Sequence, residues 1–554
     1  GTSALENNTT GLYNVAMGYE ALLTATELDS NTAIGYEALK AMSGSAGDTG
    51  NVAIGYQAGT AITTGKHNTL VGRTAGGQST TADELTYMGY FAGWNTRSGS
   101  SNTFIGAHSG YSFKNASQPR NTYLGAYSGY HNVIGSSNVY LGYSAGYGSS
   151  GESHNNNVVI GKDALKVVTT GGSNVAVGKG SGDAITTGTE NVLVGQDSGG
   201  GITIGRYNVA VGMQAMIADD VGDRSVAIGY RTLYSQNSDS NNEDTLNIAI
   251  GFQAGYYNVT GKGNVYVGSA AGFGASGNSH TGNTGIGTRA LNVVSTGGSN
   301  TAVGYNAADA MTTGHNNVAI GLGAMGSSQN IGYAVAVGSE ALNNANATDD
   351  SDSSIAIGNK ALYAMVSGIG NVAVGGEALS SEDDGDHNTA IGHNALKDQA
   401  GTTGTVANTA LGYKAGEHVT TGVYNTYLGN QSGMNASGSA ADANAGVGYR
   451  ALEALTSGSE NTALGAYAAL QLQNASDIVA LGHYTLANAN TSTDIDGCVA
   501  IGSFSQAENK TGQGNVTIGR SALQQDVNSD FNTAVGHYTL YNQNGVSGTV
   551  GNTA

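Results

Sequence analysis

The sequence has very little of what most globular domains use to cross-link the chain or to interrupt regular structure. Its 554 residues include one cysteine, one proline and one tryptophan. The lone cysteine, Cys498, allows no disulfide within the chain, although a regular exported β-fibre needs none. No run of about eighteen apolar residues is present, so the sequence predicts no membrane insertion in this segment.

Positive charge is also scarce. Lys and Arg total 20 against 40 Asp and Glu, which gives a net charge of −20, and the basic residues form no cluster. Nucleic acids and anionic membranes would be repelled by such a surface. We therefore expect no nucleic-acid partner.

Glycine, in contrast, is abundant, and it recurs in a fixed context. The chain contains 89 glycines and is 39% hydrophobic, and "NVAMGYEAL" at 14–22 returns as "NTAIGYEAL" at 31–39. The glycines do not follow the G-X-Y period of collagen. A strictly periodic, half-apolar chain of this kind is expected to fold.

The repeat can be measured from the glycine of "AIG", here called the core glycine, and other positions are numbered relative to it. There are thirty-one core glycines from Gly1 to Gly536, and 21 of the 30 spacings are 17 residues; the others are 19, 20 or 22. Departures are therefore small insertions. The pattern predicts one continuous solenoid array over 1–554 with surface loops.

The three residues before each core glycine predict a short strand. Position −1 is always Ile, Val, Leu or Met, and position −3 is Val, Thr or Ile in all copies except Ala445. Position −2 is mostly Ala or Tyr. We expect −1 and −3 to fill the interior of the coil, and −2, on the opposite face, to be covered by a partner chain.

A second glycine lies seven residues before the core glycine in sixteen of the 21 shortest coils, for example Gly65, Gly188 and Gly314. Two glycines per coil indicate two corners, where a positive φ or close approach of backbones is required. This predicts two short strands and two turns in each coil. The fold class is thus all-β, a parallel β-roll or β-solenoid of about 30 coils with a 17-residue basic repeat.

Asparagine occupies position −4 in 24 of 30 copies. Stacked coils would superpose these side chains into a structural ladder of amides that bond one another or the turn backbone. Its representative members are Asn31, Asn51, Asn174, Asn300 and Asn461. Cys498 takes the same position and is interpreted as a small buried substitute.

Acidic loops are the only candidate metal sites. Closely spaced carboxylates in turns that contain glycine can hold Ca²⁺. The candidate ligands are Asp383, Asp384, Asp386, Asp494 and Asp496. None of these loops completes an EF-hand, and the alternative is a solvated acidic surface that limits aggregation. No other cofactor is expected.

No catalytic residue is expected either. "GYSAG" at 142–146 matches the G-x-S-x-G elbow of hydrolases, but in register it is equivalent to "GYQAG" at 55–59. Tyrosine is frequent, with 30 residues, often at position +1. A file of tyrosines could bind sugars by stacking or could cover a seam between chains, and we favour the seam.

The strings "NTAIG" at 31–35, "NVAIG" at 51–55 and "NTAVG" at 532–536 carry a family resemblance. They resemble the head repeat of YadA-like trimeric autotransporter adhesins and the "NTAIGYQAL"-type repeat of phage tail-fibre proteins. The resemblance covers the whole chain. It implies a left-handed parallel β-roll in a homotrimer on a cell or virion surface.

The departures from the adhesin pattern are a longer coil, the "GYxAL" continuation, and the lack of a heptad stalk or membrane anchor. They favour a phage fibre or a free surface filament. The function expected is a non-enzymatic, extracellular shaft of a phage tail fibre or bacterial adhesin, an excerpt of a longer fibre. Its partners would be identical chains and a host cell-surface glycan or protein.

The alternative function is a single-chain binding solenoid, either dependent on Ca²⁺ or binding carbohydrate. Ice binding through threonine rows is a further alternative. It requires exposed threonine files, whereas position −3, where threonine is most regular, is expected to be buried.

Overall fold

The computed structural model describes residues 1–114, 119–241, 243–345, 353–400, 404–435, 441–489, 495–543, 548–549 and 551–554. In these ranges the chain contains strands, turns and bends but no helix. Two compact units are present, Gly1–Thr281 and Gly282–Ala554. The predicted fold class, an all-β parallel solenoid with a 17-residue basic spacing, is confirmed.

Each unit contributes fifteen strands of three residues, and each of these strands occupies positions −3 to −1, as predicted. In unit 1 they are Val15–Met17, Thr32–Ile34, Val52–Ile54, Thr69–Val71, Thr86–Met88, Thr103–Ile105, Thr122–Leu124, Val139–Leu141, Val158–Ile160, Val175–Val177, Val192–Val194, Val209–Val211, Val226–Ile228, Ile248–Ile250 and Val265–Val267. In unit 2 they are Thr284–Ile286, Thr301–Val303, Val318–Ile320, Val335–Val337, Ile355–Ile357, Val372–Val374, Thr389–Ile391, Thr409–Leu411, Thr426–Leu428, Ala445–Val447, Thr462–Leu464, Val479–Leu481, Val499–Ile501, Val516–Ile518 and Thr533–Val535.

Within each unit, strands from successive coils pair in parallel with equivalent residues side by side. Thr301, Ala302 and Val303 pair with Val318, Ala319 and Ile320. Each position of the repeat therefore forms a file that runs from coil to coil at the strand spacing of about 4.8 Å. Any side chain is flanked by its own equivalents in the preceding and the following coil.

The prediction of two strands in every coil was wrong. Among the described residues a second ladder of two-residue strands forms in four places, where Leu28–Asp29 pairs with Gly47–Asp48, Gly222–Asp223 with Glu243–Asp244, Gly385–Asp386 with Gly404–Thr405, and Ser529–Asp530 with Gly548–Thr549. Elsewhere the described part of the coil is closed by turns and bends. These segments still hydrogen-bond to the next coil, as Thr63 N–H does to the carbonyl of Thr80 at 2.9 Å.

The assignment of the two strand faces was also wrong, and the structure inverts it. Position −2 is buried in every strand except the first, where Ala16 is half-buried, whereas −3 and −1 are half-buried or exposed throughout. Ala319 is 1% exposed and its neighbour Ile320 is 39% exposed. Alanine thus lines the interior, and the larger aliphatic side chains face outward. The physical reason is that the interior of the coil is narrow.

The narrow interior is filled by matching one position of the coil against another. In nine of the 18 copies with alanine at position −2, position +4 carries a leucine that fills the space, as in Ala33 and Leu39, both fully buried. Where −2 is Leu, Phe or Tyr, position +4 is glycine. A Cβ on Gly110 would lie 2.5 Å from Cδ2 of Phe104, so the ring occupies the volume that glycine leaves free.

Four of these large residues form a continuous stack inside unit 1. The rings of Tyr87, Phe104, Tyr123 and Tyr140 follow one another at centroid distances of 4.8, 4.6 and 4.7 Å, with interplanar angles of 9° or less. Offset stacking of aromatic rings adds to the free energy of burying their area. The stack replaces the alanine and leucine packing of the other coils.

The glycines serve the two purposes that the sequence predicted. Core glycines adopt a positive φ and also meet the next coil: Gly142 has φ +139°, and a Cβ there would lie 2.6 Å from the carbonyl oxygen of Gly161. At Gly188, in position −7, a Cβ would lie 2.7 Å from the carbonyl oxygen of Gly205, without a positive φ. The −7 corner therefore requires glycine for close approach alone.

Three further positions of the coil adopt the left-handed conformation without requiring glycine. They are +2, +4 and −5, as in Glu37 (φ 53°), Leu39 (φ 52°) and His67 (φ 56°). A non-glycine residue there costs roughly 1–2 kcal/mol. These positions could not be predicted from the sequence, because leucine and glutamate are not residues that favour a positive φ.

Candidate functional site

The asparagines at position −4 form a file of hydrogen bonds inside the coil. Asn51 is fully buried; its Nδ2 donates to the carbonyl of Gly65 at 2.9 Å, and its Oδ1 accepts from the backbone N–H of Asn68 at 3.0 Å. The Asn51 amide therefore satisfies two backbone groups of the following coil. In the interior such groups would otherwise be left without a partner.

The other members make equivalent bonds, apart from Asn31, whose Nδ2 donates within its own coil. Asn31 accepts from the backbone N–H of Asn51 and donates to the carbonyl of Asp29, and Asn174 accepts from Asn191 N–H and donates to the carbonyl of Gly188. Asn300 accepts from Asn317 N–H and donates to the carbonyl of Gly314, and Asn461 accepts from Ile478 N–H and donates to the carbonyl of Ala475. These distances lie between 2.7 and 3.1 Å. The amides are committed to holding adjacent coils together.

Cys498 occupies the same position and is buried, as the sequence predicted. Its thiol donates to the carbonyl of Gly512 at 3.2 Å, the same contact that asparagine makes at this position. Burial raises the pKa of Cys498 to about 12. Because the thiolate is the nucleophilic form of cysteine, this side chain is chemically inert near neutral pH.

Position −6 carries a second set of bonds between coils that sequence reasoning missed. An aspartate there accepts from the backbone N–H of the −6 residue in the preceding coil. Such bonds, at 2.6 to 2.9 Å, are made by Asp29, Asp83, Asp223, Asp386, Asp442, Asp496 and Asp530. The signal was present in the sequence, because each of these acidic residues keeps the same distance from its core glycine.

This arrangement accounts for two of the calcium candidates. Asp386 accepts from Ile369 N–H at 2.8 Å, and Asp496 accepts from Ser476 N–H at 2.8 Å. Asp384 accepts instead from the hydroxyl of Ser367 at 2.6 Å, and Asp383 accepts from the backbone of Asp384 at 3.0 Å. The remaining candidate, Asp494, lies outside the described residues.

No metal-ligand set is assembled in the part of the chain that the structure describes: nowhere there do three His, Cys, Asp or Glu side chains come together in a suitable group. The four described candidates for Ca²⁺, Asp383, Asp384, Asp386 and Asp496, instead bond to nearby backbone and hydroxyl groups.

Two buried histidines are the most strongly perturbed bases in the described ranges. Nδ1 of His154 lies 2.6 Å from the hydroxyl of Tyr140, and Nδ1 of His280 lies 2.7 Å from that of Tyr266. Burial lowers the pKa of His154 to about 3 and that of His280 to about 4. Both rings are neutral near pH 7, where they satisfy the hydroxyls of the large interior tyrosines.

Ser144, the serine of "GYSAG", has no special backbone geometry. Its φ of 53° matches those of the equivalent residues Gln57 (54°) and Phe91 (53°) in other coils. The conformation is therefore a property of the repeat and not of a nucleophile elbow. Ser144 also lines a surface cavity.

The outward face of the strands is the most extensive candidate binding surface. In each unit two files run along it, aliphatic side chains at −1 and Val, Thr or Ile at −3, and none of these positions carries a charge. Ile54 is 38% exposed and Leu464 is 52% exposed. We call this surface the outer strand face. An uncharged file of outward strand residues, aliphatic at every −1 position, is unusual for a monomer.

The inversion also affects the ice-binding alternative. The −3 file is outward and not buried, so the reason given for excluding ice binding was wrong. The −3 file nevertheless mixes threonine with valine and isoleucine, and this irregularity is now the argument against ice binding.

Tyrosines form exposed files on the turn that follows the strand. At position +1, Tyr19, Tyr36 and Tyr56 stack at centroid distances of 5.2 and 5.0 Å. Aromatic side chains at other turn positions concentrate in one part of unit 1, between residues 90 and 147. The turn surface therefore varies along the chain, whereas the −1 file of the outer strand face is aliphatic in every strand.

No helix in the described ranges is long and apolar enough to cross a membrane. Comparison of the chain with known proteins supplies no relative from which a function could be transferred: no protein-family model matches the sequence, and no curated protein matches it significantly.

Proposed function

We propose that this chain is a non-enzymatic structural shaft whose outer strand face packs against identical chains. The observation that carries the proposal is the uncharged, largely aliphatic surface of the −1 and −3 files in each unit. Each of the fifteen strands per unit turns an aliphatic side chain outward at −1, and 17 of the 30 strands turn a second one, Val or Ile, outward at −3. A monomer usually leaves only a few hundred Å² of contiguous apolar surface exposed, whereas this aliphatic file runs from strand to strand through each unit.

An identical chain is the partner that matches this surface best. The files repeat at one spacing of about 4.8 Å, so a second copy offers the same spacing in return. The absence of charge on both files matters as well, because a chain with a net charge of −20 would otherwise repel its copies. A closed ring of chains would hide every outer strand face and leave no open end for aggregation.

The number of chains and the setting rest on the family resemblance. The "NTAIG"-type repeat is similar to the head repeat of YadA-like adhesins and to phage tail-fibre repeats, which supports three chains and a left-handed roll. The same resemblance supports an extracellular location on a phage tail or a bacterial surface. Host attachment would then be a function of the turns or of segments outside this chain.

The mass of the native particle tests the proposal. Sedimentation equilibrium and native mass spectrometry at micromolar concentration should give three chain masses, and circular dichroism should show β-structure. A dimer would keep the side-by-side packing but contradict the number three. A folded monomer would contradict the shaft proposal and favour a single-chain binding solenoid.

A further inference from the structure

The turn surface of unit 1 carries a dense aromatic patch. It comprises Tyr90, Phe91, Trp94, His108, Tyr111, Tyr127, Tyr130, His131, Tyr143 and Tyr147. At position +5 of consecutive coils, Tyr111, Tyr130 and Tyr147 stack at 5.0 and 5.1 Å with nearly parallel planes. We call these ten residues the aromatic patch.

A cavity of about 360 Å³ opens at the end of this patch, lined by Tyr127, Tyr143, Ser144, Tyr147, Asp163 and Lys166. Its origin lies in the repeat. Tyr127, Ser144 and Asp163 occupy position +2 of three consecutive coils, and the short serine leaves a gap between two longer side chains. Two coil spacings separate those side chains by roughly 10 Å. The volume lies within the range of small-ligand sites, about 300–1,000 Å³.

The walls of the cavity combine aromatic faces with hydrogen-bonding groups. The rings of Tyr127 and Tyr143 meet edge to face at 5.9 Å and 71°, and Tyr143 is 52% exposed. Asp163 lies between two ammonium groups, Lys166 Nζ at 3.4 Å and Lys162 Nζ at 3.8 Å. Asp163 and Lys166 are the two charged residues that line the cavity, and their charges cancel, in contrast to the acidic chain as a whole.

We propose that this cavity binds a neutral oligosaccharide of pyranose sugars. A pyranose ring has an apolar face of C–H groups, which packs on a tyrosine ring, and a rim of hydroxyls. Asp163 can accept hydrogen bonds from two such hydroxyls, and Lys166 and Ser144 can donate to others. The balanced charge favours a neutral sugar over an acidic one. The site lies on the turns, so it does not depend on the shaft proposal.

Two variants test the site without disturbing the coil. Ser144→Tyr should fill the cavity, and the fold accepts tyrosine at this position with the same φ, since Tyr127 has φ 60° and Tyr484 has φ 53°. Tyr143→Ala removes one aromatic wall. The matched control is Tyr305→Ala, which removes an exposed tyrosine from the same +1 position in unit 2.

Binding would be measured by titration calorimetry with chitotetraose, maltotetraose and lacto-N-tetraose as neutral probes and with sialyllactose as an acidic one. We expect a neutral probe to bind with a Kd near the millimolar range, weakened at least about tenfold by Ser144→Tyr and by Tyr143→Ala but not by Tyr305→Ala. Added salt should change the affinity little.

Any of the following results would overturn the proposal. One is that no neutral probe binds at a concentration of about 10 mM. Another is that binding persists in both cavity variants or is confined to the acidic probe. The third is that Tyr143→Ala lowers the mass of the native particle while no sugar binds, which would assign the tyrosine to a seam between chains. A monomeric but sugar-binding chain would contradict the shaft proposal alone.

Discussion

Leu193 fills space that the chain leaves free at Gly199, six residues later. A Cβ on Gly199 would lie 2.7 Å from Cδ2 of Leu193, although the backbone there, with φ +58°, is the one that leucine adopts at Leu233 (φ 47°). The two positions therefore share one interior volume. In another coil the arrangement is reversed: the small residue, Ala227, is at position −2, and the large one, Leu233, is at position +4.

This shared volume predicts strong coupling between two substitutions. Leu193→Ala should cost about 2–5 kcal/mol through the cavity that it leaves, and Gly199→Leu about 1–3 kcal/mol through overpacking. In the double variant the new leucine fills the cavity. The double variant should therefore lose at least about 2 kcal/mol less unfolding free energy than the sum of the losses of the two single variants. Urea denaturation of the three variants measures the coupling. Additive costs would show that the two positions do not share a volume.

The asparagine file makes a second prediction. The Asn425 side chain is buried, accepts from the N–H of Asn444 at 2.9 Å and donates to the carbonyl of Ala441 at 2.6 Å. Asn425→Ala leaves both backbone groups without these bonds and should cost about 2–4 kcal/mol. Asn430, five residues later, is exposed, so Asn430→Ala should shift the urea midpoint little. Equal shifts would contradict a structural role for the file.

The left-handed positions predict that some substitutions to glycine are stabilising. Ser299 is exposed at position −5 with φ 57°, and the equivalent residue one coil earlier is Gly282 with φ 72°. Ser299→Gly should raise stability by up to about 1 kcal/mol, since relief of strain exceeds the entropy gained by the unfolded chain. Ser299→Val should lower it by a similar amount. Thermal melts of the two variants should therefore shift in opposite directions; shifts of the same sign would refute the strain.

The buried histidines predict that the folded chain loses stability on acidification at pH values above those at which carboxylates titrate. In the unfolded chain a histidine has a pKa of about 6.5, whereas in the folded chain burial lowers it to about 3 at His154 and about 4 at His280. Above pH 6.5 both states are neutral and stability does not depend on these groups. As the pH falls below that value, only the unfolded state binds the protons, so stability is lost.

The loss should reach about 1.4 kcal/mol per pH unit for each histidine, or about 2 kcal/mol each by pH 5. Urea midpoints measured between about pH 7 and about pH 5 should fall accordingly. His154→Gln and His280→Gln, which can still bond to the tyrosine hydroxyls, should flatten the dependence. His67→Gln, at an exposed site, should not. If the urea midpoint of His154→Gln and of His280→Gln depends on pH as steeply as that of the unmodified chain, the buried histidines are not the cause of the loss of stability.

The sequence predicted the strands and their spacing because glycine and aliphatic residues recur at fixed positions. It misassigned the strand faces because both faces are apolar, and size alone suggested that valine and isoleucine would be inside. The missed signal was a covariation within the coil. Every Leu, Phe or Tyr at −2 is followed six residues later by glycine, which identifies −2 as the crowded interior position.

The candidate sites were predictable to different degrees. The asparagine file has one residue type at one position, so the sequence revealed it directly. Of the aspartates at −6, only Asp386 and Asp496 were predicted as site residues, and as calcium candidates. The common role of the position was obscured because serine, threonine and asparagine share it in other coils, as Thr281 and Asn155 do. The cavity beside Tyr143 depends on three consecutive coils that differ in side-chain length. Only the stacking of those coils brings its walls together.

Alternate residues of three central strands allow the two faces to be tested separately. The inner set lies at position −2, the outer set at −1 of the same strands, and a control set lies on turns between the strands. Each set is changed to glutamate in one triple variant. The inner set is Ala302, Ala319 and Ala336, and the outer set is Val303, Ile320 and Val337. The control set is Thr296, Thr313 and Gln329.

Circular dichroism combined with sedimentation equilibrium on these three variants is the decisive measurement. The inner variant should lose its β-structure locally and aggregate or unfold, because three charges would be buried without partners. The outer variant should keep its β-structure but lose mass toward the monomer, while the turn variant should keep both structure and mass. An outer variant that retains the full assembled mass, or an inner variant that folds normally, would contradict the assembly through the outer strand face.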